Sequence, residues 1–320
     1  MGAGTIGKKQ GRLDVNNKNV FACSFLFCFL LTACSSKPIL NAAPDLYNYD
    51  LVFQKIENNS QILVFYDIES NRSYDLVFNQ TYTHPVASSS DDLLLSLSGP
   101  TFVSGYPVAV DLASNNLKDC PRGWVNFWMA QDPQGINPYD IILSTPSNVY
   151  RFDLNSCEIK DVLIEFDDYR ESLNYYGGLM GFSITPDGKQ LYIGRRSWTG
   201  TQFTLHLFDI DENELSEMGE GISPSVSNGG NLLAYFMHNG LYLLDLTTQI
   251  TKKLLDFPEP DSVYPPQIYW SSDDTKLLFH FEPDRKEGDL FNDLEMIVFD
   301  LEKMEKTTLP IKGLYPSWIQ

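Results

Sequence analysis

The chain has 320 residues, enough for one large domain or two small ones, and 43% of them are hydrophobic, which is sufficient for a sizeable core. The formal net charge of −19 argues against a nucleic-acid binder, which would carry a basic patch or stripe. Aromatic residues make up 13% of the chain, and this enrichment favours β-strands.

The N-terminus has the features of a bacterial export signal. A cationic segment precedes an apolar run at residues 20–33, which matches the hydrophobic part of a signal peptide in length and is too short to span a membrane. The run ends in Leu31-Thr32-Ala33-Cys34, which resembles a lipobox, the motif whose cysteine is lipidated and becomes the mature N-terminus. The alternatives are an ordinary secretory signal in which Cys34 is incidental, and a buried apolar segment.

The lipobox resemblance implies a lipoprotein signal peptide at residues 1–33, a tether at 34–49 and a folded domain at 50–320. Acyl chains on Cys34, palmitate among them, would hold the protein at a membrane without a spanning helix. Serines follow the cysteine and no Asp adjoins it, which resembles the sorting pattern of outer-membrane lipoproteins in bacteria with two membranes. We therefore expect an exported protein anchored in the cell envelope, on the periplasmic or the surface face of the outer membrane.

A short pattern recurs six times in the folded domain. Apolar residues lead to an Asp that is followed by Leu or Ile, and the six aspartates are Asp67, Asp111, Asp153, Asp209, Asp245 and Asp300. Their spacing of 36 to 56 residues is centred near the roughly 40–45 residues of a four-stranded propeller blade. The two longest intervals contain polar insertions, "DDYRESLNYYGG" and "EPDRKEGDLFND", which are typical of loops.

A second pattern of strand, turn and strand precedes the repeat aspartate. Its clearest copies are "GFSITPDGKQLYI", "SPSVSNGGNLLAYF" and "QIYWSSDDTKLLFHF". Pro-Asp-Gly at residues 186–188 is the best-formed of these turns. Each unit is therefore interpreted as four strands, a to d, with a tight a–b turn and the repeat aspartate at the end of strand c.

The two ends of the domain complement each other. The first unit has strands b, c and d but no strand a, whereas the C-terminal "GLYPSWIQ" is a strand a with no strand b after it. Pairing of the C-terminal strand with the first blade would close the ring and remove exposed sheet edges. The predicted fold is all-β, a six-bladed β-propeller of four-stranded blades at residues 50–320.

The units resemble the TolB-like, WD-like propeller repeats of bacterial periplasmic proteins. The best matches are residues 182–188, 270–274 and 316–318, and the resemblance covers roughly residues 50–320. It implies the propeller fold and leaves function open, because such folds serve many roles. The chain departs from TolB in having no α/β domain before the propeller and in its predicted lipidation.

Motifs for enzymatic chemistry are missing from the sequence. It contains no GxSxG, HExxH or P-loop motif, and no helical stretch large enough for a hydrolase domain. The histidines fall on different parts of the repeat, at His84, His206, His238 and His280. We expect no cofactor, and an enzyme is the weaker hypothesis.

Acidic residues have two predicted roles. The repeat aspartates are expected to accept backbone N–H bonds and shape the c–d turns. Four residues have the spacing of a calcium loop: Asp209, Asp211, Asn213 and Glu220. Position 6 of that loop is Glu214 where a sharp turn needs Gly, and no helices flank it, so a solvated hairpin is favoured over a metal site.

Aromatic residues on or just before strands a are the candidate ligand-binding residues, because these strands line the channel of a propeller. They are Phe127, Trp128, Tyr264, Tyr269, Trp270, Tyr315 and Trp318. Packing between blades is the competing role for such large side chains.

Two cysteines, Cys120 and Cys157, are left when the signal peptide and Cys34 are set aside. An exported chain permits a disulfide between them, and two buried free thiols fit the sequence equally well.

These features favour a binding or scaffolding module of the cell envelope, which engages an envelope protein, a peptide or a glycan through one face of the ring. The alternative is a propeller enzyme, a lyase or hydrolase acting on an envelope or extracellular polymer at the central channel. We expect a monomer that contacts the membrane through its lipid anchor and binds no nucleic acid.

Overall fold

Six antiparallel sheets, five of four strands and one of five, follow one another around a ring in the computed structural model of the protein. The structure describes residues 48–57, 60–76, 82–87, 93–98, 104–112, 116–120, 125–126, 129–135, 138–145, 148–165, 178–196, 202–237, 240–256, 266–281 and 294–319. Within these ranges no helix has the length and apolar character needed to cross a bilayer.

The strands are numbered in chain order, and each blade takes four of them. Blade 1 contains β1 (Leu51–Glu57), β2 (Ser60–Asp67) and β3 (Arg72–Leu76), with β25 (Leu314–Trp318) as its inner strand. Blade 2 contains β4 (Tyr82–Ala87), β5 (Leu93–Ser98), β6 (Ser104–Asp111) and β7 (Asn116–Asp119), and an additional strand, β8 (Val125–Asn126), pairs with β6. Blade 3 contains β9 (Met129–Gln131), β10 (Asp140–Ser144), β11 (Asn148–Asp153) and β12 (Glu158–Glu165).

The second half of the ring repeats this order. Blade 4 contains β13 (Gly178–Ile184), β14 (Gln190–Arg196), β15 (Phe203–Asp209) and β16 (Glu214–Glu220). Blade 5 contains β17 (Ile222–Val226), β18 (Leu232–Met237), β19 (Gly240–Asp245) and β20 (Ile250–Asp256). Blade 6 contains β21 (Ile268–Trp270), β22 (Lys276–Phe281), β23 (Glu295–Asp300) and β24 (Glu305–Lys312).

The last strand of the chain closes the ring. Strand β25 pairs with β1 in antiparallel register, with Leu51 opposite Trp318 and Val52 opposite Ser317. The predicted six-bladed propeller and its closure by the C-terminal strand are therefore confirmed.

The hydrophobic core is divided among the seams between blades. Six clusters of buried side chains join neighbouring blades, and together they cover all six seams. In β1, for example, Leu51 and Phe53 pack towards blade 6 while Val52 packs towards blade 2. Because both faces of a blade are buried, central strands such as β10 and β18 contain continuous apolar runs.

The c–d turns of blades 1, 3, 4, 5 and 6 share one pattern of hydrogen bonds. The repeat aspartate accepts backbone N–H bonds from the turn, as at Asp245, whose Oδ1 accepts from Thr247 and Thr248 at 2.9 Å. The fourth residue after the aspartate has a left-handed backbone, for instance Gln249 with φ 59°. Equivalent bonds form at Asp67, Asp153, Asp209 and Asp300. This confirms the predicted structural role of these five aspartates.

The a–b turns of blades 3 to 6 also share a pattern of bonds. In blade 4 the Thr185 N–H donates to Gln190 O, and the Gly188 N–H donates to Thr185 O. The same pair of bonds begins at Asp132, Ser227 and Ser271 in the other three blades. Blade 3, the most divergent in sequence, therefore forms the same turn from "DPQG".

Candidate functional site

A cavity of about 530 Å³ lies at the centre of the ring. The inner strands of blades 2 to 6 all contribute to its lining, namely β4, β9, β13, β17 and β21. Residues of the a–b turns also line it, so the cavity opens towards the face of the ring that carries those turns. A volume of this size is typical of ligand pockets.

The shared a–b turns divide the lining into three layers. The rim consists of turn residues: Asp132, Pro133, Gly135, Pro186, Ser227 and Asn228. The middle layer lies two residues before each turn: Val86, Ala130, Ser183, Ser225 and Tyr269. The floor lies two residues further back: Gly181, Ser223 and Gln267.

Backbone bulges shape the floor. Gly181 has φ 109° and Ser223 has φ 51°, and the register with the neighbouring strand shifts at both places. A Cβ atom on Gly181 would lie 3.0 Å from the Ser223 Cα atom, so the close approach of β13 and β17 requires glycine there. The Ser223 hydroxyl is buried and has no hydrogen-bond partner in the part of the chain that the structure describes.

Gln267 and Tyr269 form the wall on the blade 6 side. The Tyr269 hydroxyl donates to Oε1 of Gln267, and both residues line the cavity. Burial, with a smaller contribution from Tyr315, raises the pKa of Tyr269, so its hydroxyl stays neutral and able to donate. Tyr269 is the one large side chain in the middle layer, and the other four members are Val, Ala and Ser.

Side-chain bonds between neighbouring turns fix the rim. The Gln134 Nε2 group of blade 3 donates to Asp187 O of blade 4 at 2.9 Å, and Gln134 Oε1 accepts from Arg151 at 2.9 Å. Arg151 also lies 3.0 Å from the Asp132 carboxylate. The ion pair with Arg151 thus compensates the negative charge of Asp132 on the rim. The other polar groups of the lining are hydroxyl, amide and backbone groups.

A second set of bonds joins blades 5 and 6. Asp274 accepts from the backbone N–H groups of Asn228 and Gly229, both at 2.7 Å. In return the Asn228 side chain donates to Ser271 O at 2.8 Å. The turns of blades 3 and 4, and those of blades 5 and 6, are thus held to each other, which gives these two parts of the rim a defined shape.

The structure separates the predicted aromatic residues. Tyr269 lines the cavity, whereas Trp270 packs in the seam between blades 5 and 6 and donates from Nε1 to Ser225 O at 2.9 Å. Trp318 packs in the seam between blades 6 and 1, and the buried Tyr315 ring contacts the His280 ring. Three predicted residues lie outside the described residues: Phe127, Trp128 and Tyr264. Cys34 lies outside them too.

The predicted calcium-like segment forms an ordinary c–d turn followed by β16. Asp209 accepts from the Glu212 N–H group, Asp211 pairs with Lys189 at 3.3 Å, and Asn213 is the left-handed residue. Glu220 is the last residue of β16, a strand-length away from the turn. Among the described residues, no group of three or more His, Cys, Asp or Glu side chains is arranged to hold a metal ion.

Cys120 and Cys157 form a disulfide, with an S–S distance of 2.13 Å. It connects the end of β7 in blade 2 to the c–d turn of blade 3, and Cys120 is fully buried. Of the two states that the sequence left open, the structure has the disulfide.

Sequence reasoning missed the floor residues Gly181, Ser223 and Gln267. A detectable signal was the Ser223-Pro224 pair on strand a, which recurs as Tyr315-Pro316 with the same left-handed backbone. Aligning strands a on their turns would have marked this position in each blade.

No family model matches the chain, and the search of curated proteins finds no match either. Solved structures do match. TolB from Acinetobacter baumannii is 13% identical with a TM-score of 0.60, and the match covers 87% of this chain and 68% of that one. A putative TolB from Agrobacterium tumefaciens is 15% identical with a TM-score of 0.57, and covers 83% and 91% of the two chains. A nidogen/laminin complex gives 12% identity, a TM-score of 0.58, and coverage of 85% and 98%. The chain therefore has a TolB-like propeller fold.

Proposed function

We propose that this protein is a binding module of the cell envelope, and that its central cavity holds a segment of a partner polypeptide. One observation carries the proposal: five inner strands converge on a cavity of about 530 Å³ whose lining combines short side chains with hydrogen-bonding groups. Short side chains leave room for an inserted chain, and serine, amide and backbone groups match the polar groups of an uncharged peptide.

The rim supports binding by a preformed surface. Bonds from Gln134 to blade 4 and from Asp274 to blade 5 fix neighbouring turns before any ligand arrives. A site that is already ordered loses less conformational entropy on binding, so a modest interface can still hold its partner.

Export and lipid anchoring complete the proposal, and they rest on the sequence at residues 1–34. Replacement of Cys34 by Ala should release the protein from the membrane fraction, because the acyl chains would have no attachment point. Retention of the Cys34→Ala chain in the membrane fraction would contradict the anchor and leave the binding proposal intact.

Photo-crosslinking tests the cavity directly. A benzoylphenylalanine residue at Ala130, in the middle layer, should give one covalent adduct with a partner polypeptide in the native cells. The same residue at Lys306, on the exposed outer strand β24, is the matched control and should not give that adduct. An adduct from Lys306 alone, or none from Ala130 in folded protein, would refute binding in the cavity.

A further inference from the structure

The floor of the cavity has hydrogen-bond donors that no described residue satisfies. Ser223 is only 2% exposed, and its hydroxyl has no hydrogen-bond partner in the described part of the chain. A buried hydroxyl without a partner is unfavourable, so such a group in the floor of a cavity marks a place where a ligand would supply the partner.

Gln267 is in the same layer of the neighbouring blade and is oriented by its own strand. Its Oε1 accepts from the Tyr269 hydroxyl, which leaves the Nε2 group with its two N–H donors. Gly181, the third floor residue, allows the backbones of β13 and β17 to approach closely beside Ser223, since a Cβ atom on Gly181 would lie 3.0 Å from the Ser223 Cα atom. The floor therefore combines a buried hydroxyl without a partner, on blade 5, with an amide donor on blade 6.

We propose that Ser223 and Gln267 form a subsite for an amide carbonyl oxygen, provided by a Gln or Asn side chain of the bound segment. This inference rests on the proposed function and names the chemistry that the cavity selects. Two N–H donors and a hydroxyl match a carbonyl acceptor. The described lining residues include no cation, so a carboxylate would lose its hydration without compensation.

The middle layer supports the same choice of side chain. Val86, Ala130, Ser183 and Ser225 are short, so a long unbranched side chain can pass between them to the floor. Tyr269 narrows this passage on one side, which favours an extended carboxamide side chain over a bulky group.

Propionamide, which has the structure of the Gln side chain, is a suitable probe of the subsite. The full chain is labelled with ¹⁵N-glutamine and kept in detergent. Propionamide should then shift the NMR signal of the Gln267 side-chain amide, which is assigned by its loss in Gln267→Leu. Propionate, the matched carboxylate, should not shift it. Ser223→Ala should weaken propionamide binding about fivefold, the effect of one hydrogen bond, and Ser216→Ala on the outer strand β16 should leave it unchanged.

Three results would overturn the subsite: no shift with propionamide, an equal shift with propionate, or unaltered binding in Ser223→Ala. If Ser223→Ala fails to fold, Ser223→Gly suits the left-handed backbone and carries the same prediction. If N-acetylglucosamine binds more tightly than propionamide, and its binding also depends on Ser223, then the subsite recognises the acetamido group of a sugar. That result would refute the assignment to a Gln or Asn side chain. The crosslink from Ala130 is a separate measurement, so a failed subsite and a failed binding module can be told apart.

Discussion

The indole Nε1 group of Trp270 lies 2.9 Å from the Ser225 carbonyl oxygen, across the seam between blades 5 and 6. Trp318 repeats this bond one blade later, donating to Tyr269 O at 3.2 Å. Each tryptophan is the last residue of its inner strand, and its indole bonds to the middle layer of the preceding blade. These two aromatic residues therefore connect blades, and they position the backbone beneath the cavity wall.

Replacing Trp270 with Phe should lower the free energy of unfolding by about 1–2 kcal/mol, because the ring is kept and the buried hydrogen bond is lost. Urea denaturation at neutral pH measures the change. Trp318→Phe removes a longer bond at a more exposed site and should cost less. Equal stability of Trp270→Phe and the parent chain would show that the bond contributes nothing to the ring.

Asp274 occupies a left-handed position, with φ 58°, where blades 4 and 5 have Gly188 and Gly230. Its carboxylate accepts two backbone N–H groups of blade 5, so we expect Asp274→Gly to destabilise the protein by about 1–2 kcal/mol although glycine suits the backbone. Met304→Gly is the matched control, since Met304 has φ 57° and an exposed side chain, and should be neutral or stabilising. A stabilising effect of Asp274→Gly in thermal denaturation would refute the interblade role.

His280 is buried against Tyr315, with ring centroids 5.3 Å apart, and its Nδ1 atom has no hydrogen-bond partner among the described residues. Burial lowers its pKa to about 3. The unfolded chain therefore takes up a proton below about pH 6.5 while the folded chain does not, and stability should fall by up to about 1.4 kcal/mol per pH unit as the pH drops towards 3.

His280→Phe keeps an aromatic ring beside Tyr315 and should remove this contribution to the pH dependence between pH 6 and 4. Urea denaturation at several pH values measures it, and His206→Gln, at a partly exposed histidine, should retain the steep dependence. An unchanged slope in His280→Phe would show that other groups cause it.

The disulfide should stabilise the seam between blades 2 and 3. Its cysteines are 37 residues apart, and closing a loop of that length in the unfolded chain is worth about 3–4 kcal/mol. The double variant Cys120→Ala/Cys157→Ala should lose that amount in urea denaturation under oxidising conditions. With a reducing agent present, the parent chain should approach the stability of the variant, and a parent chain that is insensitive to reduction would contradict the prediction.

Local chemistry explains which parts of the fold could be predicted. An aspartate at the end of strand c bonds to its own turn, so Asp67, Asp245 and Asp300 could be interpreted from a few neighbouring residues. Closure by β25 followed from counting strands. Both depend on patterns that repeat along the chain.

The residues that line the cavity were harder to predict from the sequence, because backbone bulges determine which side chains face it. An extra residue in an inner strand reverses which side chains face the channel beyond it. The left-handed residues Ser223 and Tyr315 mark two such places, and simple alternation along strand a does not reveal them. Large aromatic residues were therefore predicted to line the channel, although Trp270 and Trp318 pack in seams. The floor is made by Gly181, Ser223 and Gln267.

The pairing of β25 with β1 sets an order of events during synthesis. Strand β1 is made first and must wait, with one edge unpaired, until the strand that completes its blade has been made last. An unpaired edge can recruit strands from other molecules, so a factor that shields blade 1 would be most useful in that interval. The geometry of closure thus makes the nascent chain, more than the finished ring, the form in need of protection.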